Sequence, residues 1–428
     1  MGSAHLSQVT FDDWTKRRSV ASLGTNAGSQ SVPFQGWRNF KEAFAPELIE
    51  RAFLESAIPV SRCLDPFGGS GTTALACQFL GVHPITIEVN PFLADLIRAK
   101  LAIYNCDALA HDFGVIVTDA SALAGSVEES FGNAPPTFVE PGVKGRWILD
   151  YEVAEGVAAW LAAIKRLSKP LHRRFFRVIL GGVLVEASNV VVSGKGRRYR
   201  RSWATRHRGR GLLDLLFCDA VQKAIGELHG YVGRKCSSAD VYCADSREFL
   251  RKELSCELSV FSPPYPNSFD YTDVYNVELW ALGYLKNFRS NRILRASTLS
   301  SHVQTARKFT PPPAGSRKLK VALNDLRTRR SELWNKNIPE MLGGYFADLV
   351  HVLNGVKASL APYGRVWMVV GESRYSNVQI ETGQVLAELL PTRGWNVESI
   401  EDCRSMRSSP QHGGKAELAE TLLILSPH

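Results

Sequence analysis

Two short segments combine residue types whose spacing suits chemistry. The first is Cys63-Leu64-Asp65-Pro66-Phe67-Gly68-Gly69-Ser70-Gly71-Thr72-Thr73, in which an apolar run ends in an acid and three glycines follow within four residues. Glycines accept positive φ and let backbone approach a ligand with no Cβ in the way. No lysine follows Gly71, which sets this loop apart from those that grip nucleoside triphosphates. Glu88 lies 17 residues beyond Gly71, after the apolar run Ile85-Thr86-Ile87. An acid there can accept both hydroxyls of a ribose, so the pair points to an adenosine-bearing cofactor.

The second segment is Ser262-Pro263-Pro264-Tyr265, directly after the apolar run Leu258 to Phe261. Two prolines stop strand pairing and leave carbonyls unclaimed. Ser262 Oγ and the Pro263 carbonyl then become acceptors for an amino group, and Tyr265 offers a flat face to a planar ring. The tetrapeptide contains no cysteine, and Cys256 lies upstream of it. Attack through a thiolate on a ring carbon is therefore excluded. Phe269 and Tyr271 either line the same pocket or pack the helix that follows. Asp270 and Asp273 either accept a released proton or cap that helix.

The elements that must hold these segments follow from hydrophobic periodicity. Residues 61–66 predict a strand, Thr72 to Leu80 a helix and Pro84 to Val89 a second strand, a βαβ unit that implies a parallel sheet covered by helices. Helices are expected near Phe44 to Ser56 and over 93–110. Strand character returns at Asp240 to Ala244, Leu258 to Phe261 and Arg365 to Val370. Trp395 to Ile400 and Thr421 to Leu425 predict a closing antiparallel pair, and Phe309 to Ser316 a flexible loop. Helix-like spacing at Val153 to Leu167, Phe175 to Leu184 and Leu212 to Leu228 marks a mainly helical insertion. The expected organisation is a loose Ser/Gly-rich lead-in over 1–35, a first sheet part over 36–110, the insertion over 111–235 and a second sheet part over 236–428.

Charge is concentrated. Of the net +9, Lys195 to Arg210 contributes +8 and Lys286 to Lys336 contributes +11, which leaves the rest of the chain at −10. An acidic body with two basic segments suits a nucleic-acid backbone. Arg197, Arg198, Tyr199, Arg200 and Arg201 interleave guanidinium groups with an aromatic ring, a pattern that clamps phosphates and stacks bases. No run is long and apolar enough to span a membrane, and no targeting segment opens the chain. The eight cysteines show no paired spacing, so free thiols in a reducing, cytoplasmic setting are expected and no metal site is.

With these segments in view, the sequence resembles the S-adenosylmethionine-dependent DNA amino-methyltransferases, the N4-cytosine and N6-adenine enzymes. Asp65 through Thr73 looks like their cofactor motif, and Ser262-Pro263-Pro264-Tyr265 like their catalytic motif. The serine form is the one most often associated with N4-cytosine methylation. The resemblance implies a Rossmann-like methyltransferase sheet, mainly parallel with a C-terminal antiparallel strand pair. It also implies cofactor contacts from Asp65, Pro66, Phe67, Gly68, Gly69, Ser70, Gly71 and Thr72, with Glu88 on the ribose. Asp245 matches the acid that contacts the cofactor's adenine amino group, with Ser246 beside it. Trp37 to Leu48, including Phe40, resembles the segment packed around the methionine end.

Duplex DNA is the implied partner, with base flipping, and a cognate restriction or defence nuclease is a possible companion. Arg404 and Arg407, in a segment that resembles the tail of relatives, are expected either on phosphate or in a surface loop. The insertion lies between the second and third strand motifs instead of the customary target-recognition position, so it and the stretch 286–336 are both candidate readers. Other readings share parts of the pattern. They are N6-adenine methylation of DNA, guanine-N2 methylation of RNA, methylation of a protein glutamine, and DNA binding on a vestigial catalytic fold.

Overall fold

The computed structural model describes residues 9–25, 28–38, 43–123, 125–193, 196–234, 238–251, 254–407 and 417–428, with backbone alone at 193, 404–407 and 417. Its main sheet contains β1 (Arg62–Asp65), β2 (His83–Glu88), β3 (Asp240–Cys243), β4 (Cys256–Phe261), β5 (Leu360–Gly371), β6 (Trp395–Arg407) and β7 (Glu417–Pro427). The spatial order is β6-β7-β5-β4-β1-β2-β3. Pairing is parallel from β5 through β3, and β7 runs antiparallel to both β5 and β6. This is the Rossmann-like methyltransferase sheet, and the expected antiparallel pair is present, longer than the sequence indicated.

Both faces of the sheet are covered, which is why its strands read as near-continuous apolar runs. Along β5, Trp367 and Val369 face one apolar cluster, and Val366, Met368 and Val370 face the other. Helix Thr72–Leu80 lies on the first side, and the long helix Ile338–Ser359 lies on the second. The chain lays β1, β2 and β3 outward in one direction, then crosses back to place β4 on the other side of β1. A crevice opens at such a reversal, outside the carboxyl ends of the strands. Both chemical segments leave their strands there.

Local structure departs from the sequence reading in several places. The single helix expected over 93–110 is two, Pro91–Leu101 and Cys106–Ala122, because Asn90 and Asn105 each cap a new start. The described part of the opening segment, residues 9–25 and 28–35, is packed where a loose lead-in was expected. Trp14 is buried and stacks on Phe79 at 4.6 Å, and Phe34 and Trp37 sit in the same apolar cluster. The helices Tyr151–Arg166, Pro170–Ala187 and Arg210–Gly230 share that cluster with the sheet, so the described residues of the insertion join the sheet's core. Two unexpected helices, Phe288–Ala296 and Arg317–Thr328, occupy the second basic stretch. Among the described residues, no helix is long and apolar enough to cross a membrane.

Candidate active site

The crevice holds a cavity of about 310 Å³, lined by the glycine loop, Glu88, Asp245 and Ser246, and Ser262 through Tyr265. The turn after β1 is fixed by short-range bonds. Asp65 accepts from the Phe67 amide at 2.9 Å, and the Gly68 amide donates to the Ile87 carbonyl at 3.0 Å. Gly69 and Gly71 take φ of +51° and +83°. Gly68 lies so close to β2 that a Cβ there would sit 2.3 Å from Thr86 Cγ2. Behind the loop, the buried Lys100 ammonium donates to the Ser70 carbonyl at 2.7 Å, and desolvation pushes its pKa down to about 7. Nothing in the sequence singles out Lys100, because a lysine near a helix end reads as a surface residue.

Glu88 accepts from the Gly69 amide through one oxygen and from the Asn90 amide through the other, each at 2.7 Å. Burial pushes both Glu88 and Asp65 up to about 7 against these bonds. A carboxylate has further lone pairs, so ribose hydroxyls remain acceptable to Glu88. The donor set therefore fits an adenosyl sulfonium cofactor: an acid at the end of β2, an acid after β3, a side-chain-free loop between them and Phe44 in the wall.

Asp245 lines the cavity, but Arg247 grips its carboxylate at 2.6 and 3.0 Å while also reaching Asp348 at 3.0 Å. Any adenine contact from Asp245 is thus made by an acid already paired. Ser246 donates to the Pro66 carbonyl and ties the β3 end to the glycine loop. Phe40 lies outside the described residues.

On the other wall, β4 ends at Phe261 and the tetrapeptide turns along the cavity. Ser262 Oγ donates to Tyr265 Oη at 3.3 Å, and Tyr265 Oη donates to Glu420 Oε1 at 3.1 Å. Burial, with the Glu420 charge second, holds the Tyr265 phenol well above its ordinary value, so it stays protonated. The ring is seated against Gly371 on β5, where a Cβ would fall 2.4 Å from it. Phe269 and Tyr271 meet edge to face at 4.6 Å and both line the cavity. Asp270 resolves as a helix cap: it accepts from the Thr272 and Asp273 amides and is paired with Arg295. Asp273 instead faces Arg197 at 3.6 Å.

Glu420 and His302 line the cavity without having been marked in the sequence. Glu420 sits in an apolar closing strand, and only strand pairing places it opposite Gly371. Burial pushes His302 down to about 4, so it is neutral near pH 7.

The first basic segment begins in a two-stranded antiparallel pair, Val190–Ser193 with Gly196–Tyr199, packed beside helix Tyr271–Val274. Arg198 and Arg201 are exposed, and Tyr199 packs against Trp203 at 5.2 Å. Arg200 has a different job from the one its charge suggested. It donates to the Ser188 and Val185 carbonyls at 3.1 and 3.0 Å and closes the end of helix Pro170–Ala187. The second basic stretch also spends cations internally, with Arg307 on the Thr298 and Leu299 carbonyls and Arg330 on Glu340. The side chains of Arg404 and Arg407 lie outside the described residues.

Similarities to other proteins agree with this geometry. A family model described as DNA methylase matches residues 7–99. The type II methyltransferase M.AvaI of Nostoc sp. is 24% identical across 90% of this chain and 83% of its own. M.BsoBI of Geobacillus stearothermophilus is 24% identical across 96% and 88% respectively. A shorter match, 35% identical over 24% of this chain, is to M.XycI of Xanthomonas campestris pv. cyanopsidis, of which it covers 36%. Among solved structures, the rRNA methyltransferase aviRa of Streptomyces viridochromogenes aligns over 89% of this chain and 84% of its own, at 9% identity and a TM-score of 0.26, too loose a match to bear on the fold. The chain is thus similar to DNA methyltransferases, through a DNA methylase family model over residues 7–99 and through type II methyltransferases along most of its length.

Proposed function

We propose that the protein methylates the exocyclic N4 amino group of cytosine in duplex DNA, as the modification partner of a restriction or defence nuclease. The observation that carries this reading is a single cavity that joins the glycine loop to Ser262-Pro263-Pro264-Tyr265, with no cysteine among its described lining residues. Such a site suits direct transfer to an amino nitrogen and leaves ring-carbon chemistry without its thiolate.

The loop residues 65–72, Glu88 and Asp245 would hold S-adenosylmethionine, which supplies an electrophilic sulfonium methyl group. The amino nitrogen of cytosine is a poor nucleophile because its lone pair is delocalised into the ring. Ser262 Oγ and the Pro263 carbonyl accept its hydrogens and favour a localised lone pair. Tyr265, Phe269 and Tyr271 receive the flipped base on aromatic faces. Fixed dipoles lining the cavity do this without reorganising, so positioning and electrostatics account for most of the rate. Arg197, Arg198, Tyr199 and Arg201, on the strand pair beside this wall and just after it, contact the backbone of the duplex, with Arg404 and Arg407 as further phosphate ligands.

The test is transfer of tritiated methyl from S-adenosylmethionine to mixed-sequence duplex DNA, with structured RNA in parallel and Tyr265→Ala as control. Label in DNA that disappears in the variant supports the proposal. Label confined to RNA overturns it.

A further inference from the structure

Glu420 is 3% exposed, lies on the antiparallel strand β7 opposite Gly371, and reaches the cavity from a strand separated from β1 by β4 and β5. It meets the catalytic segment through one oxygen, the Tyr265 phenol. The order of donors along this contact is determined by chemistry. A carboxylate has no proton to give, so Tyr265 Oη must spend its single proton on Glu420. Its oxygen is then an acceptor, and Ser262 donates to it. Having spent its one proton, Ser262 Oγ can present only lone pairs to the cavity.

We propose that Glu420 is a positioning residue that fixes the direction of the Ser262–Tyr265–Glu420 hydrogen-bond chain, and so makes the cavity accept amino groups and reject keto groups. This rests on the proposed transfer to a base amino group. A base edge that offers N–H meets lone pairs on Ser262 and on the Pro263 carbonyl. A base that offers a keto oxygen there meets acceptors alone, and leaving buried polar groups unpaired is what lets a site discriminate strongly. The seat for Tyr265 at Gly371 belongs to the same device, because any β-carbon there would lift the phenol away from Glu420. Serine in the first position makes the device necessary: a hydroxyl can point either way, unlike a carboxylate, which always accepts.

Glu420→Leu tests this by removing the acceptor with little change in side-chain length. A leucine offers no acceptor, so Tyr265 donates to Ser262 instead and turns the Ser262 proton toward the base. The expected result is a kcat lowered on the order of 10²-fold, as for loss of one preorganised hydrogen-bonding group. KM for duplex, S-adenosylmethionine affinity by calorimetry and the thermal midpoint should all stay near wild type. Tyr265→Phe, which keeps the stacking face and deletes the hydroxyl, should lose a similar factor, and the double variant little more, since both act through one chain.

A Glu420→Leu protein with wild-type kcat overturns the proposal. So does one whose rate falls only in proportion to lost cofactor binding or a lowered midpoint, because that is a structural role. If Glu420→Leu does not fold, Tyr265→Phe decides: full activity overturns the chain, and reduced kcat with intact cofactor binding supports it. Wild-type protein runs alongside, so absence of any amino-methylated base in its DNA refutes the underlying function, and this inference falls with it.

Discussion

Replacing Gly371 with alanine would put a methyl group 2.4 Å from two carbons of the Tyr265 ring and 3.1 Å from a third. Gly371 belongs to β5, which is paired with β4 on one side and β7 on the other, so its backbone has nowhere to retreat. The ring must therefore withdraw by about 1 Å to reach ordinary van der Waals separation. That movement breaks the 3.1 Å bond to Glu420 and the 3.3 Å bond from Ser262, both already near the long end of the useful range. Overpacking of this kind costs about 1–3 kcal/mol of stability. A displacement of about 1 Å in a positioning group costs on the order of 10²-fold in rate. The glycine loop and Glu88 lie across the sheet beyond β4, so S-adenosylmethionine affinity should change by less than about two-fold. Single-turnover methyl transfer and calorimetry on the same preparation separate the two effects. A Gly371→Ala protein with the wild-type turnover rate would refute the claim that Tyr265 is held in place by this contact.

Further outcomes follow from the same geometry. Gly68→Ala places a Cβ 2.3 Å from Thr86 Cγ2 and 3.0 Å from Ile97 Cδ1, so calorimetry should show S-adenosylmethionine binding weakened on the order of tenfold or more. Glu88 is raised to about 7 in the folded protein from an ordinary value of 4.5, so its contribution to stability is full below about pH 4.5 and disappears as pH rises through about 7. The thermal midpoint of Glu88→Gln relative to wild type should therefore climb between pH 5 and 8, and wild-type cofactor affinity should rise over the same interval while the variant's stays flat. Arg198→Ala with Arg201→Ala should lower the salt dependence of duplex binding by about two units of slope, read by fluorescence polarisation. Arg200→Ala, which uncaps helix Pro170–Ala187, should lower the thermal midpoint and leave that slope unchanged.

The sequence shows most clearly what the backbone alone determines. Gly69 and Gly71 need positive φ, and Pro263 and Pro264 end a strand, so both segments are visible as local constraints before any packing is known. The parallel order is visible for a similar reason, since strands buried on both faces have no polar alternation. What depends on long-range contact is hidden. Glu420 lies 155 residues from Tyr265, and only strand pairing brings them together. Lys100 looks like any helix lysine until the Ser70 carbonyl is placed above it. Net charge overstates the nucleic-acid surface because it does not distinguish Arg198, which faces solvent, from Arg200 and Arg307, which hold carbonyls. The opening segment misleads in the opposite sense: its serines and glycines suggest looseness, but Phe11, Trp14, Phe34 and Trp37 are buried.

The most direct test of the account is the chemical identity of the modified base. Wild-type protein is incubated with S-adenosylmethionine and mixed-sequence duplex DNA, and the DNA is digested to nucleosides for mass spectrometry. The account predicts N4-methylcytosine, absent when Tyr265→Ala or Ser262→Ala replaces the wild type. N6-methyladenine would preserve the site and overturn the base assignment. C5-methylcytosine, or no methylated base with cofactor bound, would contradict transfer to an amino nitrogen at Ser262.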